Sequence, residues 1–160
     1  MSLTDLMSEK TVELNLAATT KDEAITELVD VMVKAGKIPP QDRDGMITAV
    51  RQREEVMTTG IGSGIALPHA KSELVPEIML AMGRSGQGLD FDSIDGRPTD
   101  LFFLLLSRED TTGPHIQALA HLARLLRDEE FCQALRQAKD SGEVLQIIAT
   151  EEKTHSSVEN

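Results

Sequence analysis

From Thr11 to Leu16 (TVELNL) apolar and polar residues alternate, the period of a half-buried strand. The period then lengthens. Ile25, Leu28, Met32 and Ala35 recur at three- and four-residue spacing and predict an amphipathic helix. Thr20-Lys-Asp-Glu23 opens it as a capping box, and Gly36 stops it behind Lys34, a cation suited to the last turn. After Pro39-Pro40, Met46, Ile47 and Val50 place a second helix over about Gln41 to Arg53, despite Gly45 within it. Residues 3–7 read as a helical turn.

Further on, Ile78–Gly83 (IMLAMG) predicts a strand, and Gln87–Asp100 reads as polar, turn-rich chain. Asp100–Leu106 (DLFFLLL) is the most continuously apolar segment, hence a central strand. Three helical patterns follow, at roughly 113–127, 128–138 and 141–150, with Asp140 and Glu143 as a cap for the last. Glu151–Asn160 is polar and reads as a frayed end. Early βα units, then clustered strands, then helices argue for one α/β layered domain whose sheet is not purely parallel.

The chain has 160 residues, enough for one domain with a sound core, and 40% of them are hydrophobic. There is no Trp or Tyr and there are four Phe, so the core is expected to rest on Leu, Ile, Val, Ala and Met. Sixteen basic against twenty-seven acidic residues give a net charge of −11. That argues against a nucleic acid or an anionic membrane as partner and suits a cationic protein. Cys132, the single cysteine, excludes an internal disulfide framework. MSLTDLMSEK lacks a basic region followed by an apolar run, and Leu101–Leu106 is too short to cross a bilayer. A soluble, cytoplasmic protein without direct membrane insertion is the expectation.

The chemistry concentrates in Thr58–Lys71, TTGIGSGIALPHAK. Gly60, Gly62 and Gly64 loosen a loop that feeds the short apolar run Ile65-Ala66-Leu67. Pro68, which lacks an amide donor, is expected to end that strand abruptly and leave His69 at its tip. Imidazole is the side chain poised near neutral pH, and a nucleophilic histidine needs one free ring nitrogen and an acceptor on the other. His115 opens a helix in Thr111-Thr-Gly-Pro-His115, with Thr111 or Thr112 as cap and Pro114 in the first turn. Spacing aligns it with Leu119, Leu122 and Leu126 on the sheet-facing side, where helix amides and dipole favour an anion. Arg51 and Arg53 close the second helix; either could steady its C-terminus or offer a guanidinium fork to a phosphate.

Rival motifs fail. A dinucleotide fingerprint would need glycine where Ile65 stands, and no GxxxxGK[ST] occurs. Asp90–Gly96 imitates a calcium loop, but its third acid falls one place late and the twelfth position is Leu101. Four scattered histidines make no zinc site, so no metal or cofactor is expected. His121 lies opposite His115 and is expected in solvent, His155 lies in the tail, and Cys132 reads as a packed thiol.

TGIGxGIALPHxK resembles the phosphorylation-site signature of fructose/mannitol-type enzyme IIA domains of the bacterial sugar phosphotransferase system, including their nitrogen-regulatory branch. The resemblance extends over roughly the whole chain. It implies a mixed parallel and antiparallel sheet with helices on both faces, over a domain of residues 1–151 followed by a flexible tail, 152–160. It implies His69 as phospho-acceptor, forming a phosphohistidine intermediate, His115 in contact with the phosphoryl group, and Arg53 rather than Arg51 neutralising it. The implied donor is an HPr-type phosphocarrier protein or its nitrogen-branch counterpart. The implied recipient is a cysteine of an enzyme IIB subunit, in uptake of a fructose- or mannitol-like sugar. Alternatively, the phosphorylation state of His69 controls binding to regulatory target proteins.

Overall fold

The computed structural model describes the backbone of residues 2–159 and the side chains of 2–155. In it the two periodicities of the sequence become strands and helices in the expected order. In chain order these are β1 (Val12–Glu13), α1 (Lys21–Lys34), α2 (Arg43–Val56), β2 (Gly60–Gly62), β3 (Ile65–Ala66) and β4 (His69–Lys71). Then come β5 (Met79–Leu89), β6 (Thr99–Ser107), α3 (Thr112–Leu125), α4 (Glu129–Gln137) and α5 (Ser141–Glu159). The sheet runs β1-β5-β6-β3-β2, with β4 also paired to β6. It is mixed: β5–β6 and β2–β3 are antiparallel, whereas β1–β5, β3–β6 and β4–β6 are parallel.

The strand expected to be central is central. Along β6, Leu101, Phe103 and Leu105 enter one core with Leu122 of α3, Leu135 of α4 and Ile148 of α5. Phe102, Leu104 and Leu106 enter the opposite core with Leu28 and Met32 of α1 and Met46 and Val50 of α2. Strand side chains alternate between faces, so an unbroken apolar run serves both layers at once. All four Phe (Phe91, Phe102, Phe103, Phe131) are buried, so the core rests on them as well as on the aliphatic residues.

Caps behave unevenly. Thr20 accepts from Glu23 N at 3.2 Å, while the Glu23 carboxylate takes the hydroxyl of Thr19 instead of closing the box. Glu143 N donates to Asp140 at 2.8 Å as expected. Neither threonine caps α3: Thr111 Oγ1 donates to Arg108 O at 2.8 Å, and Thr112 faces Lys71.

Several boundaries differ from the sequence reading. The TVELNL strand is regular only over Val12–Glu13; the Glu13 carboxylate accepts from Asn15 N at 3.0 Å, and the chain meets β5 again at Leu16, whose N donates to Arg84 O at 2.9 Å. The second helix starts after a 3-10 turn, Pro40–Asp42, and runs past Arg53 to Val56. β5 runs on to Leu89, taking in the first three residues of the segment read as turn, with its pairing to β6 shifting between Arg84 and Leu89; residues 90–98 are turn and loop as expected. The last helix extends to Glu159 instead of fraying after 150. Glu152 on it is buried and accepts from Leu3 N at 2.8 Å, tying it to the start of the chain.

Candidate functional site

The glycine loop is a hairpin: β2 folds back on β3, with Gly62 and Gly64 at positive φ (97° and 81°). The positive φ favours glycine at position 64, where a Cβ would also press on the ends of the Asp100 and Arg136 side chains at 2.7 Å and 2.8 Å. β3 does end before Pro68, at Ala66, but the chain does not leave the sheet there. Pro68 lacks an amide, but its carbonyl accepts from Leu105 N at 3.0 Å, so the ladder to β6 resumes at His69. His69 therefore stands at the first residue of β4, fixed in register opposite Leu105, rather than at a free tip.

The His69 ring is half-buried, and its Nδ1 lies 2.8 Å from Leu67 O. A carbonyl can only accept, so the neutral ring carries its proton on Nδ1 and leaves the Nε2 lone pair free. Burial pushes its pKa below the ordinary value. The Leu67 carbonyl pulls it up, Arg53 and Lys71 push it down, and Glu54 pulls it up.

His115 lies in the first turn of α3, 5.3 Å from His69 between ring centroids and tilted by 60°. It is 4% exposed, and its Nδ1 meets Ser107 Oγ at 2.5 Å. Burial, then the charges of His69, Lys71 and Arg53, lower its pKa to about 4. A ring easier to protonate unfolded (about 6.5) than folded contributes nothing above that value and costs stability as pH falls from there towards 4. In an NMR titration His115 should stay neutral from pH 7 down to about 5; a midpoint near 6.5 would contradict this environment.

Arg53 comes from the last turn of α2, the helix on the other face of the sheet, and its Nη1 donates to Met57 O at 2.9 Å. Its charge reaches both rings, whereas Arg51 pairs with Asp22 at 3.6 Å. The structure thus brings His69, His115 and Arg53 together. It also supplies three residues that the sequence reading passed over. Glu54 is buried, accepts from Thr59 N (2.8 Å) and Thr59 Oγ1 (2.5 Å), and pairs with Lys21 (2.9 Å), locking the end of α2 to the glycine hairpin. Its place one turn beyond Val50 and two beyond Ile47 on the buried stripe was the signal. Ser107 ends the apolar run and holds His115; Lys71, two places after His69, shares its face of the strand.

The remaining candidates sit apart. His121 is not in solvent but half-buried, 2.9 Å from Glu152, because the extended α5 packs beside α3. His155 meets Glu151 at 3.1 Å, and the buried Cys132 donates its thiol to Leu126 O. Among the described residues no group of three or more His, Cys, Asp or Glu could hold a metal ion. No described helix is long and apolar enough to cross a membrane.

Residues 5–151 match the family model described as phosphoenolpyruvate-dependent sugar phosphotransferase system, EIIA 2. The chain belongs to this EIIA family. Its relatives fall in both functional branches. Over 153 residues it is 38% identical to the fructose-specific EIIABC component of Bacillus subtilis, covering 96% of this chain but only 24% of that protein. It is 35% identical to the nitrogen regulatory protein of Bradyrhizobium diazoefficiens, covering 93% of this chain and 95% of that one. The EIIA fold is also seen in the Escherichia coli complex of enzyme IIAMTL with phosphorylated enzyme IIBMTL, with a TM-score of 0.75 and 24% identity. That alignment covers 90% of this chain and 97% of the other.

Proposed function

We propose that this EIIA domain accepts a phosphoryl group on Nε2 of His69 from the phosphohistidine of an HPr-type carrier and passes it to an enzyme IIB cysteine. The observation that carries the reading is the paired state of the imidazole: Nδ1 is tied to Leu67 O while Nε2 stays available beside His115. In the first step the Nε2 lone pair attacks phosphorus as the donor's N–P bond breaks. The proton stays bonded to Nδ1 and hydrogen-bonded to Leu67 O, so the ring becomes a phosphorylated imidazolium whose charge the carbonyl dipole steadies. In the second step a thiolate attacks phosphorus, the Nε2–P bond breaks, and the lone pair returns to the ring. Such loose transfer asks for alignment and charge neutralisation more than covalent help. Arg53 supplies positive charge. In this reading Ser107 Oγ donates to Nδ1 of His115, which leaves the proton of the neutral ring on Nε2 as a donor to the phosphoryl group.

Reach is provided by the surroundings. Val56 (81% exposed) and Met57 (68%) at the end of α2, and Ile116 (59%) beside His115, offer apolar contact to a docking protein. The acidic surface suits a cationic carrier. The IIB partner is supported by the E. coli complex. A regulatory role, with target binding set by the His69 phosphorylation state, is supported by the end-to-end match to the Bradyrhizobium protein. Both readings use the same site.

Incubation with enzyme I, an HPr-type carrier and phosphoenolpyruvate should add one acid-labile phosphate, mapped by mass spectrometry to the peptide containing His69. Absence of label on that peptide would overturn the assignment. Chasing the labelled protein with an enzyme IIB separates the branches: loss of label favours transport, and retention favours regulation.

A further inference from the structure

Lys71 and His69 leave the same face of β4, the one turned towards α3, since their partners Ser107 and Leu105 on β6 lie on that side while Ala70 packs against α2. The Lys71 ammonium is exposed and donates to Thr112 Oγ1, the first residue of α3, at 3.1 Å. A hydroxyl is a weak neutral acceptor for an ammonium group; a phosphoryl oxygen is a far stronger, charged one. Its field already reaches both rings, among the cations that lower the pKa of His69 and His115. Arg53 differs, being committed to the carbonyl of Met57. A lysine is a compact charge on a flexible stem, suited to changing partners where a planar guanidinium holds one geometry.

We propose that Lys71 is a phosphoryl-binding residue that exchanges the Thr112 hydroxyl for a phosphoryl oxygen when His69 is loaded and returns to Thr112 on discharge. This rests on His69 being the acceptor. The exchange also frees the uncapped start of α3, so loading is felt at the first turn of the helix that carries His115.

The test compares wild type, Lys71→Gln, Lys71→Arg and Thr112→Val, each loaded with potassium phosphoramidate and peptide-mapped, then titrated by 31P NMR. A nearby cation favours the dianionic phosphoryl form, so Lys71→Gln should raise the phosphoryl pKa by about half to one unit. Lys71→Arg should restore most of the difference. Thr112→Val, which removes only the resting partner, should not raise it. Label on His69 with the same phosphoryl pKa in Lys71→Gln and wild type would overturn the role of Lys71 alone. So would a rise in Thr112→Val equal to that in Lys71→Gln, which would mark a purely structural tether. Label on a different residue would remove the His69 assignment and this role with it.

Discussion

His69→Ala should take up no phosphate from a loaded HPr-type carrier while keeping its fold. In the proposed transfer phosphorus bonds to one atom, Nε2, and none of the neighbouring side chains replaces it. His115 is 4% exposed with Nδ1 on Ser107, and Lys71 and Arg53 are cationic and not nucleophilic at neutral pH. The fold survives because β4 pairs with β6 through its backbone and the ring is only half-buried. Intact mass after incubation with the phosphotransfer partners, alongside circular dichroism, checks both halves. Uptake equal to wild type would remove His69 from the mechanism; loss of the fold would make it a structural residue instead.

Phe102→Ala should destabilise the domain by about 3–5 kcal/mol, the range for deleting a fully buried aromatic side chain. Phe102 is 0% exposed on the central strand and meets Phe91 edge-on at 5.4 Å between ring centroids. Its removal leaves a cavity between the sheet and the α1–α2 layer that helices pinned by Val29, Met32 and Val50 can close only partly. Urea denaturation compared with wild type measures it. A loss under about 1 kcal/mol would mean the site repacks freely.

Much of this architecture was legible in the sequence because its signals are local. The three- and four-residue spacing placed α1 and α2, and the apolar run at Asp100–Leu106 identified the shared wall between two cores. Pro68 marks the end of β3 as expected but does not leave His69 at a free tip: it loses a donor yet keeps an acceptor, and that acceptor bridges the gap in the ladder. The polar end of β5 was missed because its partner, Thr99, is supplied by a strand that no local pattern links to it. His69 came from the motif, His115 from the helix opening at Thr111–His115 and Arg53 from the family resemblance, since spacing did not separate Arg53 from Arg51. What separates them is that Arg51 turns towards Asp22, a residue of α1 far away in the chain. Ser107, Glu54 and Lys71 acquire meaning only through partners brought together by folding.

The tie between Nδ1 of His69 and the Leu67 carbonyl has a chemical consequence of its own. Two regioisomers of phosphohistidine exist, and here one ring position is blocked by a main-chain atom that every residue at 67 would supply. With His69 as the proposed acceptor, the choice of isomer is therefore insensitive to side-chain variation nearby. An isomer-selective antibody should recognise the loaded protein, and its selectivity should persist across variants at that position.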